Sequence, residues 1–217
     1  MTASPKFHRF SRLTVALLAC SLLGACSELD QFLRPDAKPE TDQPKATRTA
    51  KTLLRQGHAC CNLRYAGDLI SETAYGQQSF IAAGTPVLIR RLDGRQAEVE
   101  IDGKPMRIAG DGSRSPAAFE QWLTRLIVAE DPRSKLQAYP PAVRMAITKG
   151  QVFKGMTREQ VSMALGPPPG DAADNAAQSR YWWANYVPVY VHWDKVGNLV
   201  RLTGAAEAVA ALSYKSR

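Results

Sequence analysis

The sequence predicts an α+β protein: a small β-meander or SH3-like barrel, followed by a two-layer unit in which helices pack on an antiparallel sheet. Three observations carry this reading. Two Asp-Gly pairs, Asp93-Gly94 and Asp102-Gly103, separate runs in which apolar and polar residues alternate, the pattern of strands joined by tight hairpins. Beyond Ser115 the spacing changes to threes and fours, with Phe119, Trp122, Leu123, Leu126 and Ile127 on one helical stripe. After Ser179 the alternation returns, placing Val189, Val191 and Trp193 on one side of a strand and Tyr190 and His192 on the other. With 217 residues, 45% of them apolar, the chain has material for one or two cored domains.

Residues 1–25 read as a targeting segment. Lys6, Arg9 and Arg12 precede an apolar run from Leu13 to Leu23, and Leu23-Gly24-Ala25 lead into Cys26. A charged start, an apolar middle and small residues before the exit form a secretory leader. The run is shorter than the roughly 18 apolar residues of a membrane span, so cleavage is expected. Leu-Gly-Ala-Cys resembles the bacterial lipobox, which implies that Cys26 is lipidated and becomes the mature N-terminus. Cys20 fits less well because the bulky Leu18 lies two residues before it, and an ordinary leader cut after Ala25 is the alternative. Ser27, rather than Asp, after the cysteine implies export onward to the outer membrane. Acyl chains contribute about 0.8 kcal/mol per buried methylene, so several on one residue hold a protein on a bilayer.

Removing the leader changes the charge balance. The whole chain carries 28 basic and 20 acidic residues; without the leader's three cations it keeps 25 against 20, a net charge of +5. That excess suits an acidic partner or anionic phospholipid. No nucleic-acid motif occurs, so nucleic acid is not an expected partner.

Residues 26–56, with Pro35, Pro39 and Pro44 among polar and charged neighbours, are expected to be a disordered tether. The β-domain follows at 57–113, with strands predicted at Thr85–Arg91, Ala97–Ile101 and Met106–Ile108, and two more at Leu63–Tyr65 and Gln78–Ile81. Its Arg, Lys and Glu face is expected to be solvated. At its start stands His58-Ala-Cys60-Cys61. A structural or vicinal disulfide between Cys60 and Cys61 is the first expectation, with free buried thiols or a metal site as alternatives. Adjacent cysteines aim poorly at one tetrahedral ion, and no metal is predicted.

The helical segment opens at Ser115-Pro116, a serine cap with proline at the first position, and runs toward Asp131-Pro132. A second helix is predicted from Pro141 to Lys149, stopped by Gly150. A third is the most sharply bounded. Thr157 and Gln160 have capping-box spacing, Met156 and Val161 can staple, and Gly166 with three prolines ends the helix. Residues 170–179 are expected to be a loop, and 205–217 an Ala-rich tail that is a frayed helix or disordered.

Gly155-Met156-Thr157, Gln160-Val161, Leu165-Gly166-Pro167, Tyr181-Trp182 and the turn Asp194 to Gly197 together resemble the SmpA/OmlA (BamE-like) domain of outer-membrane lipoproteins. The resemblance covers roughly residues 140–204, within the unit expected at 114–204. It implies a lipid-anchored scaffold on the periplasmic face of the outer membrane that binds outer-membrane or periplasmic proteins and assists the β-barrel assembly machinery. Tyr190 and His192, with Tyr181 and Trp182, are the candidate interface residues. The alternative is a ligand-binding or enzyme-inhibiting lipoprotein, since the helix-on-sheet architecture is similar to that of β-lactamase inhibitor proteins. No enzyme and no cofactor are expected. His58 and His192 are the only imidazoles beyond the leader, neither lies in a nucleophile motif, and no phosphate-binding glycine loop occurs.

Overall fold

The computed structural model describes residues 52–74, 76, 79–169, 175–183 and 186–215, all within one compact unit. The leader, Cys26 and most of the expected tether lie outside the described residues. The fold is mixed α+β, with two hydrophobic cores.

The first core is built on a six-stranded sheet. Its strands are β1 (Gln56–Ala59), β3 (Leu69–Ser71), β5 (Pro86–Asp93), β6 (Gln96–Ile101), β7 (Lys104–Ala109) and β8 (Ile127–Val128), in the order β3-β7-β6-β5-β1-β8. All neighbours are antiparallel except β3 and β7. β2 (Leu63–Tyr65) and β4 (Ser79–Ile81) form a separate antiparallel pair. At Asp102-Gly103 both central residues have positive φ, 51° and 74°, as the tightest hairpin requires. The preceding turn differs from expectation: Asp93 pairs with Gln96, so Gly94 and Arg95 occupy its centre.

Helix α1 (Pro116–Leu126) starts at the expected cap, where Ser115 accepts from the Ala118 N–H at 3.1 Å. Phe119, Trp122, Leu123 and Leu126 all enter the first core, and the chain turns straight into β8 beside β1. The expected division at 113/114, which grouped this helix with the C-terminal unit, is therefore corrected: its apolar stripe completes the first sheet. Phe119 comes so close to Gly110 that a Cβ there would lie 2.3 Å from its ring. The tether also ends earlier than residue 56, because Leu53 and Leu54 pack against the same core.

The second core contains α3 (Pro141–Thr148), α4 (Arg158–Leu165) and the sheet β11-β10-β9, from β9 (Gln178–Trp182), β10 (Pro188–Trp193) and β11 (Leu199–Gly204). A short α2 (Arg133–Ala138) precedes them, and α5 (Ala206–Leu212) follows. The capping box of α4 is complete: Gln160 N–H donates to Thr157 Oγ1 at 3.3 Å, and Thr157 N–H donates to Gln160 Oε1 at 3.0 Å. Gly166 ends the helix with φ 86° and an extended ψ of 170°. The tail forms the helix α5, which is packed rather than frayed or disordered, since Ala208 and Leu212 are buried in the second core.

Candidate functional site

Residues 58–62 join the two cores. Ala59 ends β1 with its N–H on the Thr85 carbonyl at 2.8 Å, and Cys60 N–H then reaches Leu126 O at 2.8 Å. Cys60 and Cys61 are bonded to each other. Cys61 is wholly buried, whereas Cys60 is half-buried and reaches a cleft. Asn62 comes next, buried, and donates through Nδ2 to Ile147 O at 2.7 Å and Ala164 O at 3.2 Å. Its N–H reaches Met163 O at 3.0 Å, and its Oδ1 accepts from Ala83 N–H at 3.4 Å. Carbonyls near the ends of two helices need such donors, and one side chain supplies them. His58 pairs with Pro86 and Val128 through the backbone of β1.

The cleft holds about 840 Å³ between the two halves. Cys60, Arg125 and the segment after β8 line one side; α4, Pro167, Pro168, Tyr181 and Trp193 line the other. Most of its charges are neutralised by neighbours. Asp131 is held down to about 2 by Arg133, whose Nε donates to both carboxylate oxygens at 3.0 and 2.7 Å and whose backbone N–H adds a third bond. Lys135 pairs with Glu159, which raises the lysine's pKa. Arg158 stacks 4.5 Å over the Trp193 ring and donates to the carbonyls of Asn175 and Ala176, both at 2.8 Å. Glu130 is exposed and adds to the field on Lys135. Arg125 stands apart: its Nη2 donates to Pro168 O at 3.2 Å, its Nε is buried without a partner, and no carboxylate among the described residues pairs with it.

A second surface lies on the outer face of β9–β11. α3, α4 and α5 cover the opposite face, against Val189, Val191, Tyr181 and Leu199. Pairing across the strands aligns Arg180, Tyr190 and Thr203 in one row and Gln178, His192 and Arg201 in the next, with Trp182 beside Pro188. Arg180 lies 4.6 Å over the Trp182 ring, and exposed Tyr186 meets Trp182 edge-on at 5.6 Å. His192 Nε2 is 2.7 Å from Thr203 Oγ1. Burial lowers the His192 pKa, and nearby Arg201 lowers it further, so the ring is neutral at pH 7. These outward residues include two arginines and no carboxylate. Tyr181 does not belong among them. Strand alternation turns it inward, where it is buried and donates to Gly166 O at 3.1 Å.

Of the expected site residues, Trp182, Tyr190 and His192 share one face, Cys60 and Cys61 form the joint at the cleft, and Cys26 lies outside the described residues. Sequence reasoning missed Asn62 and Arg125. Asn62 contacts helix residues 85 and 102 positions away, which no local pattern announces. Arg125 could be seen only as the cation in the last turn of an amphipathic helix. No family model, curated protein or solved structure matches the chain.

Proposed function

We propose that the protein is a lipid-anchored scaffold of the bacterial outer membrane, facing the periplasm and recruiting protein partners through the outer face of β9–β11. The observation that carries this reading is that face: Trp182, Tyr186 and Tyr190 interleaved with Arg180 and Arg201, with no acidic side chain among the described residues paired there. Aromatic and arginine side chains are the types enriched where proteins bind one another, and the missing carboxylates favour an acidic partner. The leader and lipobox residues ending at Cys26 supply the anchor in this reading. A bonded Cys60–Cys61 pair suits an oxidising compartment. The helix-on-sheet second half agrees with the SmpA/OmlA resemblance, from which participation in β-barrel assembly is proposed.

Photo-crosslinking from position 190 in intact envelopes tests the face, and membrane fractionation of Cys26→Ala tests the anchor. The proposal expects a crosslink to a component of the barrel-assembly machinery and release of Cys26→Ala from membranes. Equal crosslinking from an inward position such as 189, or unchanged membrane association of Cys26→Ala, overturns it. The cleft favours a second reading, a ligand-binding lipoprotein, because 840 Å³ is the size of a small-molecule site.

A further inference from the structure

We infer that the cleft between the two cores binds an amphipathic organic anion, with a flat apolar body against its sulfur and aromatic wall and its acidic group on Arg125. This deepens the ligand-binding reading and is independent of the anchor and of the outer sheet face.

Every other cation lining the cleft is already engaged, Lys135 by Glu159 and Arg158 by two carbonyls and the Trp193 ring. Asp131 is neutralised by Arg133 and Glu159 by Lys135, and the third carboxylate of the lining, Glu130, forms no ion pair with Arg125. Arg125 is half-buried at the end of α1, with Nη2 on one carbonyl and no carboxylate partner among the described residues. A guanidinium carries five N–H donors, and here one of them is seen bonded to a protein carbonyl. A partly desolvated arginine in a concave site gains most from an acidic group, through short charge-assisted bonds.

Shape and surface chemistry then define the remainder of the ligand. Cys60, Met163, Pro167, Pro168, Tyr181 and Trp193 supply sulfur-bearing, rigid and aromatic residues to the cleft's lining. Polarisable sulfur packs favourably against aromatic edges, and flat rigid walls select flat bodies. The wall is also preformed. The disulfide fixes Cys60, Trp193 Nε1 donates to Ser179 Oγ at 2.8 Å, and Tyr181 is held through its hydroxyl on Gly166 O. Little ordering is left for a ligand to bring about, which favours affinity in a small site.

The test uses 2-naphthoate and its uncharged amide, 2-naphthamide, titrated into the purified full chain and followed by tryptophan fluorescence and calorimetry. Saturable binding of the acid is expected, with the amide weaker by about tenfold or more, as loss of a charge-assisted contact implies. Arg125→Gln should bring the acid down to the level of the amide, and Ser162→Trp, which fills the cleft from α4, should abolish both. The acid-to-amide ratio is read on the unaltered chain, so it decides the question even where Arg125→Gln destabilises the protein. Equal affinity for acid and amide, no saturable binding of the acid, or undiminished binding by Ser162→Trp overturns the inference.

Discussion

Asn62 is only 3% exposed, yet it is polar and bonded on every side, so its removal leaves several buried groups without partners at once. Each such group costs about 1–3 kcal/mol, while the protein's own relaxation recovers part of the sum. Asn62→Ala is expected to lose about 2–4 kcal/mol of stability, read as a lower urea midpoint at unchanged slope. A change within about 0.5 kcal/mol would mean that water replaces the amide. His192 gives a prediction of a different kind. Its folded-state pKa lies below the ordinary histidine value, so the unfolded chain takes up the proton first as pH falls. Stability is therefore full above the unfolded pKa and declines as pH drops through the histidine range toward the folded value. The urea midpoint should fall between pH 7 and pH 5 in the parent, and His192→Gln should flatten that fall. An unaltered pH profile in the variant would exclude this residue as the cause.

At the scale of elements, α4 shows how far local chemistry specifies structure. Its eight residues have weak amphipathicity of their own, and its position in the chain is set by Thr157 and Gln160 at one end and Gly166 at the other. Thr157→Ala removes a bond to an otherwise unpaired N–H and should cost about 1 kcal/mol in thermal or urea unfolding. Thr157→Ser should retain most of the stability, since the hydroxyl remains; equal loss in both variants would assign the effect to the methyl group. Such end signals made α1, α3 and α4 legible in the sequence, and alternation made β5, β6, β7, β9 and β10 legible. What stayed hidden depends on distant partners. β8 is two residues at the end of a helical stripe, and only the edge of β1 turns Ile127-Val128 into a strand. β3 owes its place to a parallel pairing with β7, reinforced where Asp111 accepts from Ser71 Oγ at 2.7 Å and Thr73 Oγ1 at 2.6 Å. In the sequence Asp111 looks like one more turn residue. α5 lacks a side-chain cap and lies in an alanine-rich stretch; Ala208 and Leu212 become core residues only because the second sheet is there to receive them. The candidate site follows the same division. The outward set on β10 is a matter of period two, whereas the cleft needs both cores in place before it exists.

Across the whole molecule, two cores raise the question of whether they unfold together. The bonds between them are few but specific, and each is buried or partly buried. Trp122 Nε1 donates to Pro167 O at 3.4 Å, Arg125 Nη2 to Pro168 O at 3.2 Å, and Asn62 ties α3 and α4 of the second core to the end of β1. These converge on the joint at residues 60–62 and on the turn after α4, and Arg64 Nη2 adds a bond to Gly150 O at 3.0 Å after α3. If the second core opened alone, the Asn62 amide and the Trp122 indole would lose these partners, a penalty borne by the half that stayed folded. Independent opening is disfavoured for that reason, and a single cooperative transition is expected. Variants retaining only Trp122, in the first core, or only Trp183, in the second, provide local reporters of the two halves. Their urea transitions should coincide in the parent background and separate when Asn62→Ala is added, with the Trp183 transition moving to lower denaturant. Transitions already separate in the parent would show that the two cores are independent units, and the cleft between them would then lack the fixed walls that binding of a small rigid anion requires.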